Sequence, residues 1–208
     1  MPFASPFGAF LAPVRSGWGE DRSYRGAGSI HEGIDLLVPV GTPVKAIAAG
    51  VVDQAHGDPC NTAGKHVAVA HADGWRSVYM HFSRVDVQRG QQVAAGQQLG
   101  LSGRTGGSTR GPGCTFDPDT ASHVHLSLMR AAPLAGAIHG SERSGYVNVP
   151  AEPHVPADYQ RTLVDRLARQ FGIAPTTVVA VAAGGGILAL LAGLAAGWWW
   201  LKRKTRRT

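Results

Sequence analysis

The sequence carries little charge outside its C-terminal tail. Charged residues make up 16% of the 208 residues, and five of the six net positive charges come from residues 202–208. Residues 1–201 therefore carry a net charge of about +1, so the basic isoelectric point is a property of the tail. A chain without a basic surface of its own is not typical of nucleic-acid-binding proteins, and we expect no nucleic acid partner.

Cysteine is also scarce. The two cysteines, Cys60 and Cys114, lie in polar segments that contain Gly and Pro, and neither belongs to a C-x-x-C pair. This spacing argues against the cysteine-rich type of zinc site. Two unrelated thiols and one disulfide are both compatible with the sequence, and a disulfide would require an oxidising compartment.

A secretory signal is missing from the N-terminus. The segment "MPFASPFGAFLAPVR" has no basic n-region, and prolines interrupt its apolar residues. The long apolar run lies at the other end of the chain, because no charged residue occurs between Phe171 and Leu201. Residues 178–201 would extend about 36 Å as a helix, enough for a hydrocarbon core of ~30 Å.

This apolar run predicts a transmembrane helix over 176–201 rather than an Ala/Gly-rich core helix. Three tryptophans, 198–200, stand where an interfacial aromatic belt is expected, and the basic tail 202–208 follows at once. The positive-inside rule places that tail in the cytoplasm and the N-terminal part outside. Without a signal peptide, this orientation needs a different start, an unusual export route, or a membrane other than the envelope, such as the internal membrane of a phage.

The rest of the chain predicts an all-β fold. Short apolar-alternating runs, separated by Gly or Asp-Gly turns, suit an antiparallel sandwich or barrel-like domain over 1–147. Residues 148–157, "NVPAEPHVPA", predict a Pro-rich linker. An apolar residue every fourth position then predicts an amphipathic juxtamembrane helix over 158–171, which completes a helical stalk before the membrane span.

Histidine placement carries the functional signal. His123 and His125 in "SHVHLSL" are two apart, so both imidazoles project from one face of a strand. His31 and Asp35 in "HEGID" are four apart, and His81 lies in "VYMHFS" two residues after Tyr79. Each piece alone is more typical of a solvated strand face or turn. Together, two imidazoles and a carboxylate suit a four-coordinate catalytic zinc with one position open.

These motifs resemble the lysostaphin-type (LytM-like) zinc metallopeptidases, a family of peptidoglycan endopeptidases. The resemblance covers a core from about Pro13 to Arg130, and it rests on "SGWGEDR", "HEGIDLLVPVGTPVKAIAAGVV", "YMHFSRVDVQRGQQVAAGQQLGLSGRTGGST" and "HVHLSL". It implies that His31, Asp35 and His125 bind Zn2+. It also implies that His123 and His81 are the unliganded catalytic pair, without saying which of the two is the general base.

One departure from the family pattern concerns the two cysteines. Family members run almost directly from the "GxTGxST" turn into H-x-H, whereas "RGPGCTFDPDTA" intervenes in this chain. The insertion carries Cys114, so a Cys60–Cys114 bridge could join two walls of the groove. Four further residues are predicted to contact substrate: Arg25, Tyr79, Ser108 and Thr109.

The resulting functional prediction is a membrane-anchored zinc endopeptidase that hydrolyses the stem or bridge peptides of bacterial peptidoglycan. Its catalytic domain would lie outside the cytoplasm or in a phage virion membrane, with viral or envelope proteins as partners. The alternative is a non-catalytic module on the same fold that binds wall peptides or activates an amidase. Loss of a ligand would favour that alternative, and all five implied positions are filled.

Overall fold

A computed structural model describes residues 3–106, 114–115, 121–131 and 146–158. These residues form ten strands: β1 Val14–Ser16, β2 Ile34–Leu37, β3 Pro43–Lys45, β4 Gly50–His56, β5 Lys65–His71, β6 Trp75–Val85, β7 Gln92–Val93, β8 Gln98–Ser102, β9 His123–Ala131 and β10 Tyr146–Val149. The only helical elements among them are two 3-10 turns, Ser23–Arg25 and Ala72–Gly74. The predicted all-β class is confirmed.

All strand pairings are antiparallel and belong to one branched sheet. Its main order is β1-β2-β9-β6-β5-β4-β7, with β10 paired to β9 and β8 paired to both β3 and β6. The pairings among the described residues end at β1 and β7, so they do not close into the barrel that the strand pattern suggested. They also do not separate into the two sheets of a sandwich.

The core lies where β2, β9, β6 and β5 run side by side. Ile34 and Leu36 of β2 and Leu126 of β9 are almost fully buried, as are Val67 and Val69 of β5. Each such side chain contributes about 1.5–3 kcal/mol through removal of apolar surface from water. The histidine motifs of β6 and β9 therefore lie on strands that are packed against the buried core.

Residues 148–157 do not form the predicted linker. Val147 and Val149 of β10 are buried, and so are Ala151 and Val155 after it. The segment is also tied to the N-terminus, since Phe3 N donates to the backbone oxygen of His154 at 3.2 Å. The prolines suggested a solvated spacer, but the small apolar residues between them pack against the domain.

The chain divides into two units after Asp158. The predicted juxtamembrane helix 158–171, transmembrane helix 176–201 and basic tail 202–208 lie outside the described residues, except for Asp158 itself. Within residues 3–106, 114–115, 121–131 and 146–158, no helix has the length and apolar content needed to cross a bilayer.

Candidate metal centre

Strand register brings two of the predicted ligands together. In the β2–β9 ladder Asp35 is directly opposite His125, and Leu37 is opposite His123. Side chains of directly opposed residues lie on the same face of a sheet. The carboxylate oxygen Oδ1 of Asp35 lies 2.9 Å from Nδ1 of His125 as a result.

The third predicted ligand, His31, precedes β2 and reaches the same point through Gly33. A Cβ atom on Gly33 would lie 2.6 Å from the backbone oxygen of Leu126 and 2.7 Å from Nε2 of His125. Only glycine allows the backbone to pass so close to β9. Nε2 of His31 then lies 3.1 Å from Asp35 Oδ1 and 2.9 Å from His125 Nδ1.

The ring nitrogens that face away from Asp35, here called the outer nitrogens, are Nδ1 of His31 and Nε2 of His125. Each contacts a hydrogen-bond acceptor. Nδ1 of His31 lies 2.8 Å from the backbone oxygen of Gly17, which can only accept. Nε2 of His125 lies 2.9 Å from Oγ of Ser127, whose hydroxyl is already donated to the backbone oxygen of Glu32. The outer nitrogens therefore carry the protons, and both inner nitrogens present lone pairs.

Two lone pairs and a carboxylate oxygen thus converge within about 3 Å. These three atoms form the only cluster with metal-ligating geometry among the residues that the structure describes. Three acceptors facing one another repel unless a cation lies between them. Ligand atoms around tetrahedral zinc, with bonds of about 2.0–2.1 Å, lie roughly 3.3 Å apart. The donor set and its spacing therefore fit a zinc ion.

Asp35 is kept ionised in this cluster. Burial alone would raise the pKa of its carboxyl group. When protons rather than a cation lie between the groups, hydrogen bonds and charge from His125 and His31 outweigh burial and hold the pKa well below its usual range, and a bound cation would act in the same direction. The second oxygen, Oδ2, lies 3.5 Å from Nη2 of Arg22. The same Nη2 donates to Oγ of Ser16 at 2.6 Å, which fixes the guanidinium beside the carboxylate.

Arg22 is not among the site residues predicted from the sequence, and Arg25 was predicted to bind substrate, which stays a prediction. Arg25 lies in the 3-10 turn Ser23–Arg25, is exposed, and has its guanidinium 5.5 Å from the ring centre of Tyr24. Arg22 belongs to the quoted "SGWGEDR" segment, but nothing in its spacing marks it as the partner of a ligand.

His123 and His81 lie beside the metal-ligand cluster. Their ring centres are 5.1 Å apart, and the ring of His81 lies 6.2 Å from that of His125. Nδ1 of His123 lies 2.9 Å from the backbone oxygen of Ala121, and its Nε2 lies 3.7 Å from Asp35 Oδ1. Nδ1 of His123 is thus the hydrogen-bond donor, and Nε2 is the basic nitrogen.

His81 has an unusual backbone. Its φ of 74° lies in the left-handed region, which costs a non-glycine residue roughly 1–2 kcal/mol. The β5–β6 register shifts here, because Lys65 is opposite Phe82 whereas Val67 is opposite Tyr79. This bulge turns His81 out of the regular alternation of β6 and toward the metal-ligand cluster.

Both histidines are neutral near pH 7. Burial lowers the pKa of His81 to about 3, with a further contribution from His123 and His125. Burial also lowers the pKa of His123, although the charge of Asp35 acts in the opposite direction. A neutral imidazole can take a proton on its unprotonated nitrogen, which is what a general base requires.

The bulge separates Tyr79 from His81, so the prediction that Tyr79 contacts substrate is wrong. Tyr79 is fully buried, and its hydroxyl oxygen accepts from the backbone N of Ile47 at 2.9 Å. Two residues on one strand share a face only while the pleat is regular. Ser108 and Thr109 lie outside the described residues.

The structure joins Cys60 to Cys114 in a disulfide. The bridge connects the loop before β5 to the segment that follows Gly106, where Gly106 N donates to the backbone oxygen of Cys114 at 2.8 Å. Of the two alternatives that the sequence left open, the structure has the bridged one.

Curated relatives share the part of the chain that contains these motifs. The cell division protein DipM of Caulobacter vibrioides is 40% identical over 104 residues, which are 50% of this chain and 17% of that protein. The peptidoglycan DD-endopeptidase ShyA of Vibrio cholerae is 32% identical over 117 residues, 56% of this chain and 26% of that protein. The chain thus spans 17% and 26% of the lengths of these two relatives.

The fold also has a solved counterpart. The catalytic domain of the antimicrobial peptidase lysostaphin from Staphylococcus simulans superposes with a TM-score of 0.51 at 30% identity. The superposition covers 68% of this chain and 90% of that domain. The sequence pattern of peptidase family M23 matches residues 29–135, which contain all five histidine and aspartate positions of the candidate centre. The chain belongs to peptidase family M23.

Proposed function

We propose that this chain is a zinc-dependent endopeptidase that hydrolyses peptide cross-links of bacterial peptidoglycan. The observation that carries the proposal is the convergence of His31 Nε2, Asp35 Oδ1 and His125 Nδ1 on one point, with two neutral imidazoles beside it. Three protein ligands leave the fourth position of a tetrahedral zinc for water or substrate, as in catalytic rather than structural zinc sites.

The three ligands and the two remaining histidines have different chemical roles. A bound zinc ion would polarise the scissile carbonyl and make an attacking water more acidic. His31, Asp35 and His125 hold that ion, and Arg22 orients the carboxylate. One of the two histidines, His123 or His81, takes the proton from the water and then delivers it to the departing amine. A single neutral imidazole can do this in two successive steps.

The peptidoglycan substrate is supported by relatives. ShyA is named as a peptidoglycan DD-endopeptidase, and its 32% identity extends over 56% of this chain. Digests of diaminopimelate-type and polyglycine-bridged walls, compared side by side, assign the bond from the new amino termini.

The test uses the full chain on purified peptidoglycan. Zinc-loaded protein is expected to release new amino termini, a chelator to stop the release, and added zinc to restore it. His31→Ala should be inactive, whereas His56→Ala, a histidine outside the metal centre, should retain activity. Zinc-loaded wild-type protein that releases no amino termini from either wall type would end the enzyme proposal.

A non-catalytic wall-binding or amidase-activating module is the alternative. It would retain wall binding in a pull-down assay while releasing no peptide ends, with or without zinc. The presence of every ligand and of both neutral imidazoles favours the enzyme, because a binding module needs none of them.

We also propose that 176–201 anchors the enzyme in a membrane, on the strength of its apolar sequence and the basic residues after it. Alkaline carbonate washing of cell membranes should leave the full chain in the pellet, and a chain that ends at residue 175 should be released. Capsid and packaging genes beside the coding sequence would place the enzyme in a virion, and wall-synthesis genes would place it in a bacterial envelope.

A further inference from the structure

The loop before β5 holds the backbone of His81. The backbone N of His81 donates to the oxygen of Ala63 at 3.0 Å. Ala63 is itself fixed, because its backbone N donates to Oδ1 of Asn61 at 3.0 Å. The amide of Asn61 donates in turn to the backbone oxygen of Asp58, so the whole loop is hydrogen-bonded to itself.

A second segment holds the ring of His81. Its Nδ1 donates to the backbone oxygen of Thr105 at 2.9 Å, which leaves Nε2 as the basic nitrogen. The hydroxyl of Thr105 donates to the backbone oxygen of Phe82 at 2.7 Å and accepts from the backbone N of Lys65 at 3.0 Å. Thr105 therefore joins β5, β6 and the ring of His81 in one place.

The two segments are in direct contact with each other. A Cβ atom on Gly64 would lie 2.4 Å from the backbone of Thr105, and one on Gly106 would lie 2.5 Å from the backbone N of Gly64. Both glycines have positive φ, so neither position accepts another residue without strain. This close approach sets the distance between the two groups that hold His81.

The Cys60–Cys114 disulfide joins the same two segments covalently. Cys60 precedes Ala63 by three residues, and Cys114 pairs with Gly106 through its backbone oxygen. An isolated Thr105–Thr115 bridge continues that pairing. Ala63 and Thr105, two hydrogen-bond partners of His81, are therefore tied to one covalent link. The predicted ligands His31, Asp35 and His125 instead lie on and beside the β2–β9 ladder.

We propose that the Cys60–Cys114 disulfide and Thr105 form a clamp that positions His81 for proton transfer. The inference rests on the proposed peptidase function and adds two cysteines and a threonine to the positioning of its chemistry. A left-handed residue returns to a relaxed conformation when its surroundings loosen, so His81 needs such restraint to face the metal centre.

The first test compares the full zinc-loaded chain with the Cys60→Ala/Cys114→Ala double variant. We expect kcat to fall about 10- to 100-fold, since a misplacement of about 1 Å can have that effect. KM and the zinc content per chain should change less than about two-fold, because the metal ligands are held elsewhere. Val93→Ala, a core truncation in β7, serves as the control for general loss of stability and should keep wild-type kcat.

A matched pair at Thr105 tests the same clamp without touching the disulfide. Thr105→Val keeps the shape but removes the hydroxyl that bonds Phe82 and Lys65, and we expect a several-fold loss of kcat with unchanged zinc content. Thr105→Ser keeps the hydroxyl and should restore most of the activity. This pair decides the question if the double cysteine variant does not fold.

A nitrogen NMR experiment on histidine-labelled protein provides a readout that does not depend on catalysis. The signals of His81 are assigned by comparison with His81→Gln. They should show a protonated Nδ1 in the wild type and a mixture of tautomers in the double cysteine variant and in Thr105→Val. A wild-type kcat and a fixed Nδ1–H tautomer in the variants would overturn the clamp. If wild-type protein cleaves no peptidoglycan, the proposed function fails, and the tautomer measurement still tests the clamp.

Discussion

The proposed metal ligands and the proposed proton-transfer histidine His81 are positioned in different ways. Asp35 and His125 are opposite residues of a regular antiparallel ladder, so register alone brings them together. His81 lies on a bulge with positive φ and is held by backbone oxygens from two loops. A ligand set needs fixed convergence, which a sheet supplies, whereas His81 must depart from the regular pleat of β6 to face the metal-ligand cluster.

Removal of the negative ligand should have the largest effect on the regular half of the site. In Asp35→Asn, a neutral amide replaces the carboxylate, and we expect zinc affinity to fall more than about 100-fold and hydrolysis to become undetectable. Zinc competition against a chromogenic chelator measures this loss. Asp73→Asn, in the Ala72–Gly74 turn, is the control and should bind zinc as the wild type does.

Removal of either unliganded histidine should separate metal binding from catalysis. His123→Ala and His81→Ala are expected to lower kcat about 10²- to 10⁴-fold, the range typical of general acid–base groups, and to retain zinc. Steady-state kinetics and metal analysis on the same samples check both parts. Loss of zinc in His81→Ala would show that His81 is a metal ligand rather than a proton-transfer residue.

The arginine beside Asp35 should have an intermediate effect. Arg22→Ala removes the guanidinium 3.5 Å from Asp35 Oδ2, and we expect zinc affinity to fall about 10- to 100-fold. Arg22→Lys should recover part of it, because one positive charge remains. Arg25→Ala should bind zinc normally, and a raised KM in that variant would support the substrate-binding role that the sequence predicts for Arg25.

The smallest effect at neutral pH concerns Tyr79 in the core behind the bulge. Burial raises the pKa of Tyr79 to about 12, against an ordinary value of 10.0. The folded state therefore keeps a proton that the unfolded state releases between pH 10 and 12, so stability should fall over that range by about 2–3 kcal/mol.

Chemical denaturation from pH 9 to 12 measures how far the free energy of unfolding falls with rising pH. The Tyr79→Phe variant should show a weaker fall. Its KM should equal that of the wild type, because a fully buried side chain does not touch substrate. A raised KM would restore the sequence-based assignment of Tyr79 to substrate binding.

The regular half of the site could be predicted from sequence because its spacing follows strand geometry. H-x-H places two imidazoles on one face, and "HEGID" supplies a glycine at the point where the backbone crosses His125. The antiparallel all-β class followed from alternating runs and glycine turns. The two-residue period of a strand supported the H-x-H pair and the all-β class, whereas the assignment of His31, Asp35 and His125 as ligands came from the resemblance to lysostaphin-type peptidases.

The other half depends on contacts between distant segments. Tyr79 and His81 share a face in a regular strand, and only the bulge separates them. Arg22 reaches Asp35 through the fold of its loop, and the apolar residues of 148–157 became visible as core only once β9 was in place to receive β10. Composition alone predicted a linker there because three of its ten residues are proline.

X-ray absorption at the zinc edge of the zinc-loaded full chain distinguishes the proposed metal ligands from the proposed proton-transfer histidines. We expect one zinc per chain, with two imidazole nitrogens and oxygen ligands at about 2.0–2.1 Å and no sulfur. His31→Ala should reduce the imidazole count, and His123→Ala should leave it unchanged. A sulfur ligand at about 2.3 Å, or an imidazole count that falls in His123→Ala, would contradict the assignment of ligands and proton-transfer residues.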